Sequence, residues 1–107
     1  MARGRERINV KETTQEEKKR LEATVYGRVQ GVFFRRFVKD AAEALDLFGW
    51  VANNSDDTIS VAAEGDFERL HELVRVLQHG PDSAEVTRVD HTISDTRNEF
   101  KNFEIKW

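Results

Sequence analysis

The sequence predicts an α+β sandwich, with two helices on one face of an antiparallel sheet of four to five strands. Three observations lead there. Stretches of period two and stretches of helical period follow one another as strand, helix, strand, strand, helix, strand, strand. The two middle strands are separated only by the turn formers Asn54-Ser55-Asp56-Asp57, which makes them a hairpin. Each half of that hairpin is joined to an outer strand through a helix. Two crossovers of the usual right hand then place both helices on the same side of the sheet.

Each element has its own justification. Leu21, Ala23 and Val25 alternate with Glu22, Thr24 and Tyr26, as in a half-buried strand. Gly27 to Val32 form a glycine-bracketed turn. Phe34, Phe37/Val38, Ala41 and Leu45 recur at helical spacing, with Arg36, Lys39, Asp40 and Glu43 outward. This helix is predicted to end near Asp46. Phe48 to Asn53 read as a short strand and Thr58 to Ala63 as its returning partner. Gly65-Asp66 opens the second helix, with Asp66 as N-cap and a stripe of Phe67, Leu70, Leu73/Val74 and Leu77. Gly80-Pro81 stops it, glycine at the end and proline beyond. A strand follows over Glu85 to Ile93. Its apolar phase slips between Val86 and Val89, the mark of a bulge or a late start. The last strand carries Phe103, Ile105 and Trp107 on one face. The whole is the split β-α-β pattern of ferredoxin-like sandwiches.

Length and composition bound the function. The 107 residues suit one domain. Residues 1–20 carry seven Lys/Arg and four Glu without apolar periodicity, and read as a flexible charged tail before a domain at 21–107. That domain holds ten Lys/Arg against sixteen Asp/Glu. A balance of −6 makes it a poor general nucleic-acid binder, although a site with several donors can still hold one small anion. There is no cysteine, which excludes disulfides, thiol nucleophiles and thiolate metal sites. His71, His79 and His91 are too dispersed to predict a metal site. No apolar run reaches membrane-spanning length, and no signal-like stretch opens the chain. The expectation is a cytoplasmic monomer with no nucleic-acid or membrane partner.

The most informative segment is Gly27-Arg28-Val29-Gln30-Gly31-Val32-Phe33-Phe34-Arg35. A helix start presents unpaired N–H groups, and its dipole favours negative charge. A glycine-containing loop feeding it lets the backbone approach an anion. Arg35, just inside the helix, adds a planar charged fork that matches phosphate oxygens. Residues 27–32 and Arg35 are therefore candidate phosphate-binding residues. Asn53 ends the strand that leads into the hairpin, where the topology brings it toward this loop. Its carboxamide offers a donor and acceptors able to hold a water molecule at a chosen angle.

The nine-residue segment resembles the acylphosphatase family, as do Gly49-Trp50-Val51-Ala52-Asn53 and Gly80-Pro81 with Ala84 and Val86. The similarity runs from Leu21 to Trp107. It implies the same sandwich and hydrolysis of a carboxyl–phosphate anhydride to a carboxylate and inorganic phosphate. It also implies that Arg35 binds the phosphoryl group catalytically, that the backbone of Gly27 to Val32 cradles it, and that Asn53 orients the attacking water. The implied substrate is a small acyl phosphate, with inorganic phosphate as product and inhibitor. The leaving group is already good, so positioning and charge stabilisation suffice without metal or cofactor. A reading from another class is a non-catalytic phosphometabolite-binding module on the same fold. A single-stranded RNA binder would need a basic balance and aromatics on an open sheet face, and the −6 balance argues against it. Asp57 and Asp46 stand where the family usually has glycine, which bears on turn and cap stability more than on chemistry.

Overall fold

The alternation of Leu21, Ala23 and Val25 forms the inner face of strand β1 (Lys18–Arg28) in the computed structural model, which describes residues 17–31 and 33–107. Helix α1 (Phe34–Ala44) follows, then strands β2 (Phe48–Asn53) and β3 (Ile59–Asp66), helix α2 (Phe67–His79), and strands β4 (Glu85–Asp95) and β5 (Phe103–Lys106). They form one sheet in the order β4-β1-β3-β2-β5. Helix α1 packs mainly on β2 and β5, and α2 on β4, β1 and β3. Both meet the face that carries Leu21, Val25, Val51, Ile59, Val61, Ala63 and Phe103, all buried together with Phe34, Val38, Leu70, Leu73 and Leu77 of the helices.

Two features depart from the sequence expectation, and a third decides between the alternatives it left open. First, β5 pairs with β2 in parallel, so the sheet is mixed rather than wholly antiparallel. The β4–β5 connection crosses one end of the sheet and delivers β5 to the opposite edge, where it runs in the direction of β2. Second, β1 begins at Lys18, and Lys18 to Arg20 belong to the sheet rather than to a tail. Arg20 is only 5% exposed and donates to Glu22 (2.8 Å), Glu64 (3.0 Å) and Glu99 (3.1 Å) while its guanidinium lies over the Phe100 ring. Glu64 also accepts from the Thr96 hydroxyl and the Arg97 N–H. Alternation alone gives no sign of this polar cluster, which fastens the β4–β5 connection and so fixes where β5 lies. Third, the phase slip in β4 is a bulge: Tyr26 faces Arg88 but Gly27 faces Val86, leaving Thr87 as the extra residue. Residues 1–16, most of the predicted tail, lie outside the described residues, as does Val32.

The caps follow local chemistry. At the end of α1, Asp46 takes left-handed backbone (φ 57°), with its N–H on Glu43 O and the Leu47 N–H on Ala42 O, a Schellman motif built without glycine. Arg69 donates to the Asp46 carboxylate at 2.8 Å. Asp57 is also left-handed (φ 74°) in the β2–β3 turn. Its neighbour Asp56 accepts from both the hydroxyl and the N–H of Thr58, which lowers the Asp56 pKa.

Candidate active site

Strands β1, β2 and β5 run in one direction, since β1 and β2 are both antiparallel to β3 and β5 is parallel to β2. Their C-terminal ends therefore meet at one end of the sheet, opposite the Arg20–Glu64 cluster. Period-two alternation then decides which side chains face the helices there. Asn53 shares the parity of buried Val51, and Trp107 that of Phe103 and Ile105. The start of α1 arrives on this same side. A cavity of about 400 Å³ results, lined by Val29, Gly31, Phe33, Phe34, Arg35, Arg36, Asn53, Ile105 and Trp107.

Arg35 is half-buried in the first turn of α1. Its Nη1 donates to the Lys106 carbonyl at 3.2 Å, and its guanidinium carbon sits 4.2 Å from the Trp107 ring centroid. Among the described residues no carboxylate pairs with it. A guanidinium carries five N–H donors around a flat face. The ring occupies a face and the carbonyl one donor, so the rest of the fork stays available to an anion. Asn53 is exposed, and among the described residues its carboxamide makes no hydrogen bond. It is thus free to bind water or substrate. Helix α1 has Phe33 at its N-cap, with no side-chain cap and no acidic residue in the first turn. Among the described residues its leading N–H groups meet no negative charge.

The predicted loop residues separate into different tasks. Val29 and Gly31 line the cavity. Gly31 is left-handed (φ 75°), and a Cβ there would meet nothing within 4 Å, so backbone conformation selects glycine at this position. Gly27 is selected by close approach: a Cβ would lie 2.0 Å from Glu85 O, against the bulged part of β4. Arg28 does not line this cavity, and its Nη1 donates to the Ser83 carbonyl at 3.2 Å. The Gln30 carboxamide is spent on the carbonyls of Asn54 and Thr58, both at 2.9 Å. It ties the loop after β1 to the turn after β2, and so holds Asn53 near the start of α1. Val32 falls outside the described residues. The sequence reading missed Trp107 and Ile105 as site residues, although their parity with Phe103 carried the signal. Among the described residues no three His, Asp or Glu side chains converge to hold a metal ion. No described helix is long and apolar enough to cross a membrane.

The arrangement suits a small oxyanion carried by a split β-α-β sandwich, and known proteins share this architecture. The sequence matches the acylphosphatase family over residues 21–105, and the chain belongs to that enzyme family. It is 41% identical to an acylphosphatase of Salinibacter ruber over 88 residues, covering 82% of this chain and 93% of the relative. An acylphosphatase of Pelotomaculum thermopropionicum is 42% identical over 86 residues, covering 80% and 94% respectively. The crystal structure of acylphosphatase from Bacillus subtilis superposes with a TM-score of 0.80 at 34% identity, covering 83% of this chain and 99% of that one.

Proposed function

We propose that this chain hydrolyses small acyl phosphates without a metal cofactor. The observation that carries the reading is the meeting of Arg35 and Asn53 in one cavity, the first without a carboxylate partner and the second without a hydrogen bond among the described residues. In this mechanism the phosphoryl group docks at the start of α1, between the backbone of residues 27–32 and the free part of the Arg35 fork. Asn53 holds a water molecule in line with the bond to be broken. The water oxygen attacks phosphorus, the bond from phosphorus to the carboxyl oxygen breaks, and the carboxylate leaves with the electron pair. The water proton passes to a phosphoryl oxygen. Arg35 and the helix start stabilise the charge carried by those oxygens in a site that is already organised.

The open sheet face supports this reading over nucleic-acid binding. Of its aromatics, Tyr26 and Trp50 are already stacked by Arg88 and Lys106 while Phe48 is exposed, and the acidic Glu22 and Asp90 line the depression beside Trp50. The test is benzoyl phosphate hydrolysis in EDTA by the wild type and by Asn53→Ala. Metal-free turnover, inhibited competitively by inorganic phosphate, is expected. In Asn53→Ala, kcat falls far more than KM rises, because the water it holds matters as the reaction proceeds. Phosphate binding without turnover in the wild type would instead identify a non-catalytic phosphometabolite module. Activity lost to EDTA and restored by a divalent ion would overturn the metal-free mechanism.

A further inference from the structure

Three large apolar side chains are conspicuously exposed among the described residues, and two of them line the Arg35 cavity. Phe33 is 86% exposed and Trp107 is 95% exposed. The third, Phe48, lies elsewhere. Phe33 breaks two local rules at once. It is the N-cap of α1, where Ser, Thr, Asp, Asn or Gly are preferred, and it makes no cap bond. It also holds left-handed backbone (φ 60°), which a bulky L-residue enters at a cost. Among the described residues nothing offsets either departure, since the ring is not part of the core. A residue that costs stability and leaves its ring exposed at the mouth of a cavity points to a role toward a ligand.

The surroundings specify that ligand's chemistry. The cavity wall between the two rings includes Val29, Phe34 and Ile105, all apolar. No carboxylate lines it, and Arg36 at its border is already paired with Asp40 at 3.3 Å. The cavity therefore offers Arg35, Asn53 and the helix start as polar groups, with Arg36 at its border, and hydrocarbon from Val29, Phe33, Phe34, Ile105 and Trp107. An acyl phosphate combines the same two characters. We propose that Phe33 and Trp107 form an acyl-group subsite that selects acyl phosphates with an apolar, above all aromatic, acyl group. The proposal deepens the hydrolytic reading and rests on it. Trp107 acts in two ways, steadying the Arg35 guanidinium with its ring and presenting apolar surface to the acyl group. Ring contacts of this kind contribute about a tenfold preference.

The experiment has a kinetic and an equilibrium arm. The ratio of kcat/KM for benzoyl phosphate over acetyl phosphate is measured in the wild type, in Phe33→Asn, which tolerates left-handed backbone, and in Trp107→Leu. Calorimetry then compares binding of benzylphosphonate and methylphosphonate to the same proteins, which needs no turnover. The wild type is expected to prefer the aromatic ligand about tenfold in both arms, and the variants to lose that preference. Loss in one variant alone assigns the subsite to that ring. No preference in the wild type, or an undiminished preference in both variants, overturns the subsite. Preference in the binding arm with no hydrolysis of either substrate would leave the subsite standing and overturn the enzymatic reading instead.

Discussion

Helix α2 starts on Asp66, whose carboxylate accepts the Glu68 N–H at 3.0 Å, whereas α1 starts on Phe33, which provides no side-chain cap. The contrast extends into the first turn. In α2 that turn carries acidic Glu68, as the helix dipole favours, and the Phe67 N–H is taken by the Glu17 carbonyl. In α1 it carries Arg35 and no acid, which the dipole opposes. Among the described residues, one helix start thus meets negative charge of the protein's own and the other does not, the contrast on which the proposed anion site rests. The two best-placed arginines repeat the lesson. Arg20 is enclosed by Glu22, Glu64 and Glu99 and is a structural clamp. Arg35 meets a carbonyl and a ring, neither of which neutralises it.

Removing the open site's charge should have the largest effect. Arg35→Ala is expected to lower kcat/KM by a hundred- to a thousand-fold, about 3–4 kcal/mol in the barrier, with little change in melting temperature. Arg35→Lys recovers only part, lacking the fork. Steady-state kinetics beside a thermal melt would test this, and normal turnover in folded Arg35→Ala would end the assignment.

Arg20→Ala should reverse that profile, costing about 3 kcal/mol of stability because it strips a buried carboxylate of its cation. Denaturant unfolding measures it. The same cluster sets an acid limit. Burial pushes the Glu64 carboxyl up, but the Arg97 N–H, the Thr96 hydroxyl, the Arg20 guanidinium and the Glu99 N–H together hold it below its ordinary value of 4.5. A lowered folded pKa gives stability that is complete above that ordinary value and drains away as the pH falls toward the folded one. Glu64→Gln should therefore flatten the acid limb of the stability profile below pH 4.5. An acid limb as steep as the wild type's would show that Glu64 is not the group responsible.

Phe33→Asp converts the open start into a closed one. A carboxylate at the N-cap would accept the helix's own N–H groups and repel an incoming phosphate. The expected result is about 1 kcal/mol of added stability and about a tenfold drop in kcat/KM for acetyl phosphate, with weaker inhibition by phosphate. Faster turnover would contradict the idea that α1 is left uncapped for its ligand. The smallest effect belongs to the opposite exchange. Asp66→Ala removes the cap of α2 and should cost about 1 kcal/mol, about 5 °C in melting temperature, while turnover stays within about twofold. A large loss of turnover would mean that the two helix starts are coupled.

The chain's local chemistry was sufficient for much of this architecture. Element order, the inward faces of β1 and α2, the Asp66 cap, the Gly80 stop and the bulge beside Val86 follow from period, propensity and turn residues a few positions apart. The pairing of the Arg35 segment with Asn53 was legible as a motif. What sequence did not contain was the result of contacts between residues far apart in the chain. The parallel placement of β5 depends on a connection that crosses the sheet end and is fastened by Arg20 and Glu64, forty-four positions apart. Lys18 to Arg20 read as tail because their partners, Asp66, Gly65 and Glu64, lie on another strand. Gln30 read as part of a backbone cradle, and nothing in its neighbourhood along the chain shows that its side-chain amide reaches the carbonyls of Asn54 and Thr58 across the fold. Trp107 read only as part of one face of the last strand, and the closure of β5 against β2 carries it onto Arg35. Local periodicity determines which face of an element is buried, while strand direction and the partners of long side chains are decided only when distant segments meet.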